Sequence, residues 1–366
     1  VTIGSLGPSL TGLVLRDLDI PNEKPHDDSF LQAGHFTLEV EWLSLLSEQP
    51  EIQAVRIGEP KLQLHQTKEG GMNLPFVERE KAAQPQKPIP DVLLQEFQIL
   101  DGFARAVDPD GKQIFQARGL SLNSNLASKS GEWSMDGSLD VSELMGGPVL
   151  TVTGATSPVT LHGKILSLPD LSGDAYSGSV EGRAGLDTNP EDPEFSFKLN
   201  ADVIDMDLLM QDFGKEAGFM QGKCRMVLEG NGVASAPKDL TGKGNFSIEP
   251  AIMPKLKAAR ILGGLLGLKL MEDGTFQEVR GTFTVANQSI DFSTLEVISD
   301  NVKVLLSGTV GFDTRLDLKG DVVIEPGAAV AFGQLFGAGA DSVRQETRKL
   351  PITIRGLSSE PKVALE

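Results

Sequence analysis

The chain has 366 residues and a formal net charge of −18 at pH 7, which argues against a nucleic-acid partner because phosphate binding requires a basic surface. Its single cysteine, Cys224, excludes an internal disulfide and a metal site built from several cysteines. No run reaches the ~18 apolar residues that a transmembrane helix requires. The 40 glycines and 21 prolines indicate many turns between short strands, so we predict a mainly β protein.

The first 90 residues predict a strand region followed by a proline-rich segment. Apolar residues alternate from Ile52 to Leu64 around Pro60, and we interpret residues 1–80 as an N-terminal strand region. Residues 81–90 read KAAQPQKPIP, and proline blocks both a helix and a central strand. This segment is either a linker between domains or a loop within one continuous sheet.

Residues 91–366 predict a continuous β region. The pair Asp101-Gly102 and the run Asp108-Pro109-Asp110-Gly111 are typical of turns between strands. The aspartates of these segments lack the ligand order and the final glutamate of an EF-hand loop. We therefore interpret them as turn residues and not as calcium ligands.

Three helices are predicted inside this β region, near residues 205–218, 254–271 and 327–347. The second reads PKLKAARILGGLLGLKLM, with a proline near its first turn. It contains no acid, although the whole chain is acidic, and its leucines cover more than one stripe. Its basic residues are Lys255, Lys257, Arg260 and Lys269.

The clearest strand pattern lies between Val302 and Ile324. Apolar residues and glycines occupy every second position, with a break at Asp313-Thr314. Successive side chains of a strand point to opposite faces, so this pattern predicts one apolar face and one charged face, usually in an antiparallel sheet. A second protein layer would make the apolar face a core, and an open face would make it a binding surface.

Four segments share a strand and turn spacing that is more specific together than singly. They are Ile52-x-x-Val55-x-Ile57-x-x-Pro60-x-Leu62-x-Leu64 with Asn73, Phe97-x-Ile99-x-Asp101-Gly102 with Leu120-x-Leu122, Phe195-x-Phe197-x-Leu199-x-Ala201 leading to Asp207-Leu208-Leu209, and Leu350-Pro351-Ile352-x-Ile354-x-Gly356 ending at Pro361. Together they resemble the AsmA family of bacterial envelope proteins, which includes TamB-like members.

The resemblance implies an elongated, strongly curved antiparallel sheet that forms a taco-like groove, with a few short helices at its ends or mouth. It implies a periplasmic protein tethered to the inner membrane, so we expect an N-terminal anchor upstream of Val1. The implied partner is a phospholipid or another acyl-chain lipid. The expected lining residues are Leu62, Leu64, Phe97, Ile99, Val304, Leu306, Val310, Phe312, Leu316, Leu318, Val322 and Ile324.

The basic helix at 254–271 has two interpretations. It is a core helix that closes one end of the sheet, because helices routinely bury such stripes. Alternatively, it is a lid or a membrane-facing helix whose cations, Lys255, Lys257, Arg260 and Lys269, contact lipid headgroups.

The sequence contains no recognisable catalytic constellation. None of the four histidines, His26, His35, His65 and His162, pairs with another at metal-ligand spacing, and neither a phosphate-binding loop nor a Gly-x-Ser-x-Gly motif is present. We therefore expect a non-enzymatic lipid-binding or phospholipid-transfer module with no cofactor and no metal. The alternative function is a structural or assembly factor of the envelope that binds a partner protein through its sheet edges.

Overall fold

The computed structural model describes most of the chain. The described residues are 1–9, 12–22, 26–41, 52–68, 71–73, 92–146, 150–190, 192–234, 236, 239–266, 273–300, 302–325 and 347–365. The protein is mainly β, with 75% of the described residues in strands and 6% in helices, which confirms the predicted fold class. The proline-rich segment 81–90 and the predicted helix near 327–347 lie outside the described residues.

Twenty-one strands and two helices make up the described secondary structure. The first ten strands are β1 (Thr2–Pro8), β2 (Gly12–Pro21), β3 (Ser29–Val40), β4 (Ile52–Gly58), β5 (Lys61–His65), β6 (Val92–Val107), β7 (Gln113–Lys129), β8 (Glu132–Gly146), β9 (Leu150–His162) and β10 (Ile165–Ala175). The others are β11 (Gly178–Asp187), β12 (Glu194–Asp205), β13 (Gln221–Val233), β14 (Thr241–Ile252), β15 (Thr275–Phe276), β16 (Glu278–Ala286), β17 (Ser289–Ser299), β18 (Val302–Gly311), β19 (Arg315–Ile324), β20 (Arg348–Leu357) and β21 (Glu360–Leu365). The helices are α1 (Met206–Asp212) and α2 (Lys257–Leu266), which fall within two of the predicted helical ranges.

The chain divides into two compact units. Unit 1 comprises Val1–Ala175, Val180–Ser196 and Val233–Ala236. Unit 2 comprises Tyr176–Ser179, Phe197–Gly232 and Pro237–Glu366, and it contains both helices.

Unit 1 contains two parallel strand pairs in an otherwise antiparallel arrangement. Strands β1 to β3 pair in order, as do β6 to β10, and all of these pairs are antiparallel. Strands β4 and β5 both lie between β3 and β6, antiparallel to β3 and parallel to β6. Parallel neighbours require a long connection, and the chain from residue 66 to residue 91 supplies it. The sheet is therefore mixed, and not purely antiparallel as predicted.

The two predicted turns near residue 105 have different outcomes. The turn at Asp108 to Gly111 is confirmed, because Gly111 N donates to Asp108 O (2.9 Å) and the Asp108 carboxylate accepts the backbone N–H of Lys112 (2.8 Å). The turn at Asp101-Gly102 is wrong, because both residues lie within the continuous strand β6. Asp101 instead has a left-handed backbone, with φ 51°, which aspartate tolerates better than most residues.

Asp101 belongs to a row of residues that crosses unit 1 at one level, and we call this row the crease. The strand registers align its members, and five of them have positive φ values between 51° and 61°. The crease consists of Asp17, Gly34, Glu59, Asp101, Gly119, Ser142 and Gly154, of which Gly34 and Ser142 lack the positive φ.

The alternation of apolar residues changes from odd to even positions, or the reverse, at the crease. In β2, Leu13 and Leu15 precede Asp17, whereas Leu18 and Ile20 follow it. Buried Ala117, Val141 and Ala155 form one cluster with neighbours from both sides of the crease, Ala104, Leu120, Leu139, Leu144 and Val152. An extra residue at the same level in each strand therefore keeps the apolar side chains on one side of the sheet.

Unit 2 has a simpler topology. Strands β13 and β14 pair, β14 continues to β15 and β16, and β16 to β21 pair in chain order. All of these pairs are antiparallel, and the break between β18 and β19 falls at the predicted Asp313-Thr314 position. Strands β18 to β20 keep one alternation along their full length.

Candidate functional site

The apolar face of unit 2 is built from rows of residues that the strand registers place side by side. In one row, Val304 on β18 lies opposite Val322 on β19 and Val297 on β17. A second row joins Leu306, Leu295 and Gly320, and the latter lies opposite Ile352. Directly opposite side chains in a sheet are close enough to pack, so the predicted lining residues of β18 and β19 share one continuous surface.

Phenylalanine rings cover glycines of neighbouring strands on this face. The ring of Phe246 lies over Gly281, where an added Cβ would stand 2.8 Å from it, and the ring of Phe283 lies over Gly244 in the same way at 2.7 Å. Phe292 completes a cluster whose ring centroids are 6.0–6.3 Å apart. A side chain at either glycine would displace a ring, so these positions keep the apolar surface smooth.

One end of the face, which we call the buried end, is closed to solvent. Val322 and Ile324 are completely buried there, and Val304 and Ile352 are nearly so. Helix α2 packs next to β21 and buries Ala259 and Leu262. The predicted lining residues Val304, Val322 and Ile324 therefore belong to a packed core. Leu306 and Leu318, further along the face, are also buried.

The opposite end of the face, which we call the half-exposed end, remains accessible. Val310 and Leu316 lie opposite each other and are only half-buried, while the Phe312 side chain is 56% exposed. An open cavity of about 620 Å³ adjoins Phe312 and Leu316. Most of its lining is polar and comes from the hairpin ends and the charged face, including Asn287, Thr309 and Asp317.

The other face of unit 2 is charged, as the strand pattern predicts. Arg280 donates to Glu296 (2.7 Å), Arg355 to Asp317 (3.0 Å) and Arg225 to Asp202 (3.0 Å). The hydrogen bond that Arg280 donates to Glu296 raises the pKa of Arg280. These pairs are exposed and contribute little to stability, but they keep this face in water and leave the apolar face as the surface for a hydrophobic ligand.

The four predicted lining residues of unit 1 are half-buried and lie on both sides of the crease. Phe97 pairs opposite Ser124 and Ile99 opposite Leu122, before the crease residue Asp101. Leu62 pairs opposite Ala104 on the far side, and Leu64 follows it two residues later. Since the cluster around Ala117 contains both Ala104 and Leu120, all four residues lie on the apolar side of the sheet.

Two of the predicted headgroup cations lie on α2 and are exposed. Lys257 and Arg260 make no ion pair within the described ranges. Lys255, just before the helix, pairs with Glu216, and its hydrogen bond lowers the pKa of that carboxyl. Lys269 lies outside the described residues.

A polar cluster surrounds His65, but it does not resemble a catalytic site. His65 bonds to Asp28 (2.8 Å), His26 stacks on the His65 ring at 3.7 Å, and Asn22 donates to Asp28 (2.7 Å). Burial alone would raise the pKa of Asp28, but the hydrogen bonds from Asn22 and His65 outweigh it and lower the pKa. The cluster joins the β2–β3 connection to the end of β5, a structural role.

Other chemistry is limited in the part of the chain that the structure describes. No group of three or more His, Cys, Asp or Glu side chains there is arranged to hold a metal ion. The thiol of Cys224 is buried, and this burial raises its pKa to about 11, so it stays protonated. Neither described helix is long and apolar enough to cross a membrane.

The sequence interpretation missed two features of the site. The first is the crease, although the change of alternation on either side of Asp17 and Gly119 is visible in the sequence. The second is the ring-over-glycine packing of Phe246 and Phe283, for which the only sequence signal is that glycine and phenylalanine occupy apolar positions of adjacent strands.

The comparisons with known proteins return no relative. No protein-family model matches the chain, no curated protein matches it, and no solved structure matches it. The resemblance to the AsmA family therefore stays a prediction based on the four segments described above.

Proposed function

We propose that this protein is a non-enzymatic lipid-binding module that holds acyl chains against the apolar faces of its sheet. The observation that carries the proposal is the half-exposed end of unit 2, where Val310 and Leu316 are only half-buried and Phe312 is exposed. The face continues from there into a packed core without a polar interruption. Because the buried end is closed to solvent, a ligand would cover only the half-exposed end of the face.

The energetics favour a flexible hydrocarbon as the ligand. Covering apolar surface contributes roughly 25 cal/mol per Å², or about 0.8 kcal/mol for each buried methylene. An acyl chain supplies many methylenes and adapts to the spacing of aliphatic side chains, whereas a rigid ligand requires a shaped pocket. The charged face, with pairs such as Arg280–Glu296, stays in water and excludes the same ligand from the other side.

The cellular setting of the proposal comes from the AsmA resemblance. It assigns the module to phospholipid transfer in the bacterial cell envelope, in the periplasm, with a tether to the inner membrane. Acyl chains would move along the aliphatic surface while headgroups remain at the open side. Under this proposal no residue is catalytic, because holding an acyl chain against the exposed apolar side chains requires only hydrophobic contact.

A second candidate function, assembly through a sheet edge, is favoured by β1. This strand pairs with β2 on one side and has no second partner among the described strands. Ile3 is 45% exposed and Leu6 is 64% exposed. Exposed edges of this kind accept an added strand from another chain. Partner binding that persists in a detergent able to empty the apolar face would favour this candidate.

The test of the lipid proposal is native mass spectrometry of gently purified protein, together with lipid extraction of the same sample. We expect phospholipid at a defined stoichiometry in the wild type and its loss in Val310→Asp. Thr353→Asp is the matched control, because Thr353 lies opposite Lys319 on the charged face and does not line this cavity, so the variant should retain lipid. Leu306 and Leu318 are unsuitable, since both are buried and a charge there would destabilise the fold.

A lipid-free wild type that unfolds cooperatively would contradict the proposal. So would retention of lipid in a folded Val310→Asp variant, because the half-exposed end would then not be the binding surface. Circular dichroism of both variants establishes that each is folded before its lipid content is compared.

A further inference from the structure

Helix α2 has two different apolar sides. Ala259, Leu262 and Gly263 are spaced at three and four residues and are buried, which anchors the helix to unit 2. Ile261 and Leu265 are four residues apart and lie on the other side, with 39% and 43% of their surface exposed. A helix that only closed the sheet would need the first side alone, so the second side requires its own explanation.

The exposed side of α2 is also basic. Lys257 precedes Ile261 by four residues and therefore lies along the same side, and Arg260 is next to it. Residues 253–266 contain no acid, in a chain whose net charge is −18. The neighbouring Lys255 is paired with Glu216, so Lys257 and Arg260 provide the unpaired positive charge of this surface within the described residues.

We propose that the outer face of α2, formed by Lys257, Arg260, Ile261 and Leu265, docks on the surface of an anionic lipid bilayer. Apolar side chains of an amphipathic helix enter the boundary between headgroups and acyl chains, and the flanking cations remain with the anionic headgroups. The ten residues of α2 extend over only about 15 Å. In this proposal the described part of the helix lies along the bilayer surface, with Ile261 and Leu265 towards the lipid.

The positive charge and the apolar side chains of the outer face of α2 together match an anionic bilayer, which offers both anionic headgroups and an apolar interior. The rest of this chain is strongly acidic and is repelled by an anionic membrane, so binding must be confined to a local basic patch with apolar residues inside it. The inference goes beyond the proposed function, because docking through α2 does not depend on a lipid held by the apolar faces of the sheet.

The test is co-sedimentation of the full chain with vesicles of phosphatidylcholine alone and of phosphatidylcholine mixed with phosphatidylglycerol. We expect binding to the mixed vesicles only. Lys257→Gln with Arg260→Gln should reduce the partition coefficient about five-fold for each cation, or on the order of 30-fold for both. Ile261→Gln with Leu265→Gln should also abolish binding while leaving the buried side of the helix intact.

The matched control is Lys198→Gln with Lys319→Gln, which removes two exposed cations from strands of unit 2 and should keep wild-type binding. Equal binding by the Lys257/Arg260 variant and this control would overturn the inference, as would a folded wild type that ignores the mixed vesicles. A dimer that the Ile261/Leu265 variant disrupts would also overturn it in favour of self-association. Native mass spectrometry of the Lys257/Arg260 variant reports bound lipid separately, so failure of docking and failure of the proposed function remain distinguishable.

Discussion

In unit 1 the strands change their alternation at the crease, whereas β18 to β20 of unit 2 keep one alternation from end to end. Unit 1 maintains its apolar side with left-handed residues such as Asp101 and Gly119, and it contains no helix among its described residues. Unit 2 has irregularities of its own, at Val203 (φ 58°) and at the register shifts of β17, and it adds glycines beneath phenylalanine rings and a helix beside the final strand.

The two units differ in what determines which side chains share a face of the sheet. In unit 1, the backbone conformation of single residues determines which side chains share a side of the sheet, because a one-residue change of phase would otherwise move every following side chain to the opposite face. In β18 to β20 of unit 2 the alternation is regular, and side-chain packing is concentrated at the buried end around Val322 and Ile324. Substitutions should therefore act through the backbone at the crease and through lost packing in β18 to β20.

The largest expected effect is at the buried end of unit 2. Ile324→Ala removes methylenes from a fully buried site and should lower the free energy of unfolding by about 2–5 kcal/mol. Leu316→Ala changes the same face of the same strand at the half-exposed end, and it should cost only roughly 1 kcal/mol. Urea denaturation followed by circular dichroism measures both values. Equal losses would mean that the two ends of the face are packed alike.

The next effect tests the crease through two of its glycines. Gly154→Ala places a methyl group in open space at φ 58°, so its cost of about 1–2 kcal/mol comes from the left-handed backbone alone. Gly119→Ala adds a collision, since its Cβ would stand 2.3 Å from Ser142 Oγ, and should cost roughly 2–4 kcal/mol. Adding Ser142→Gly should restore only the difference between them. If neither glycine variant lost stability in the same denaturation experiment, the left-handed row would not determine the fold of unit 1.

A smaller effect concerns α1, which belongs to unit 2. Asp205 caps this helix by accepting the backbone N–H groups of Asp207 (3.0 Å) and Leu208 (3.3 Å), and Lys223 donates to its other oxygen (2.9 Å). Asp205→Ala should cost about 1 kcal/mol, typical of a lost cap. Thermal unfolding at neutral pH measures this loss.

The same carboxylate predicts a pH dependence. The hydrogen bond from Lys223 lowers the pKa of Asp205 below its ordinary value of 3.8. Because the folded-state pKa is depressed, the stabilisation is present above pH 3.8 and is lost as the pH falls through the lower, folded value. The difference in stability between the wild type and Asp205→Asn should therefore shrink on acidification below that pH. A difference that grew in acid would show that the carboxylate is not stabilised in the folded state.

The sequence predicts the strands well, but it does not predict which parts of their apolar face are covered by other side chains. Alternation between Val302 and Ile324 predicts both β18 and β19 and the break between them, because an apolar face on a regular strand leaves a period of two. Which end of that face is buried depends on side chains of other strands, such as Ile352 opposite Gly320, and no local pattern encodes their proximity. The unit boundaries near Ala175 and Phe197 likewise have no composition signal comparable to the prolines at 81–90.

The turn predicted at Asp101-Gly102 is wrong for a physical reason. The same reason leads to the smallest predicted effect. Aspartate and glycine favour turns because they tolerate a left-handed backbone, but a single left-handed residue also fits within a continuous strand when neighbouring strands carry the same irregularity. Asp101→Gly should relieve the residual strain at φ 51° and change stability by no more than about 0.5 kcal/mol, since the relief is offset by the greater freedom of glycine in the unfolded chain. Asp101→Val, with a branched Cβ, should instead lose about 1–2 kcal/mol, although this side chain is exposed. Urea denaturation of both variants measures these changes in stability. If Asp101 belongs to the crease, hydrogen exchange of β6 and β7 should rise together in Asp101→Val. If it belonged to a local turn, the rise would be confined to the residues around position 101.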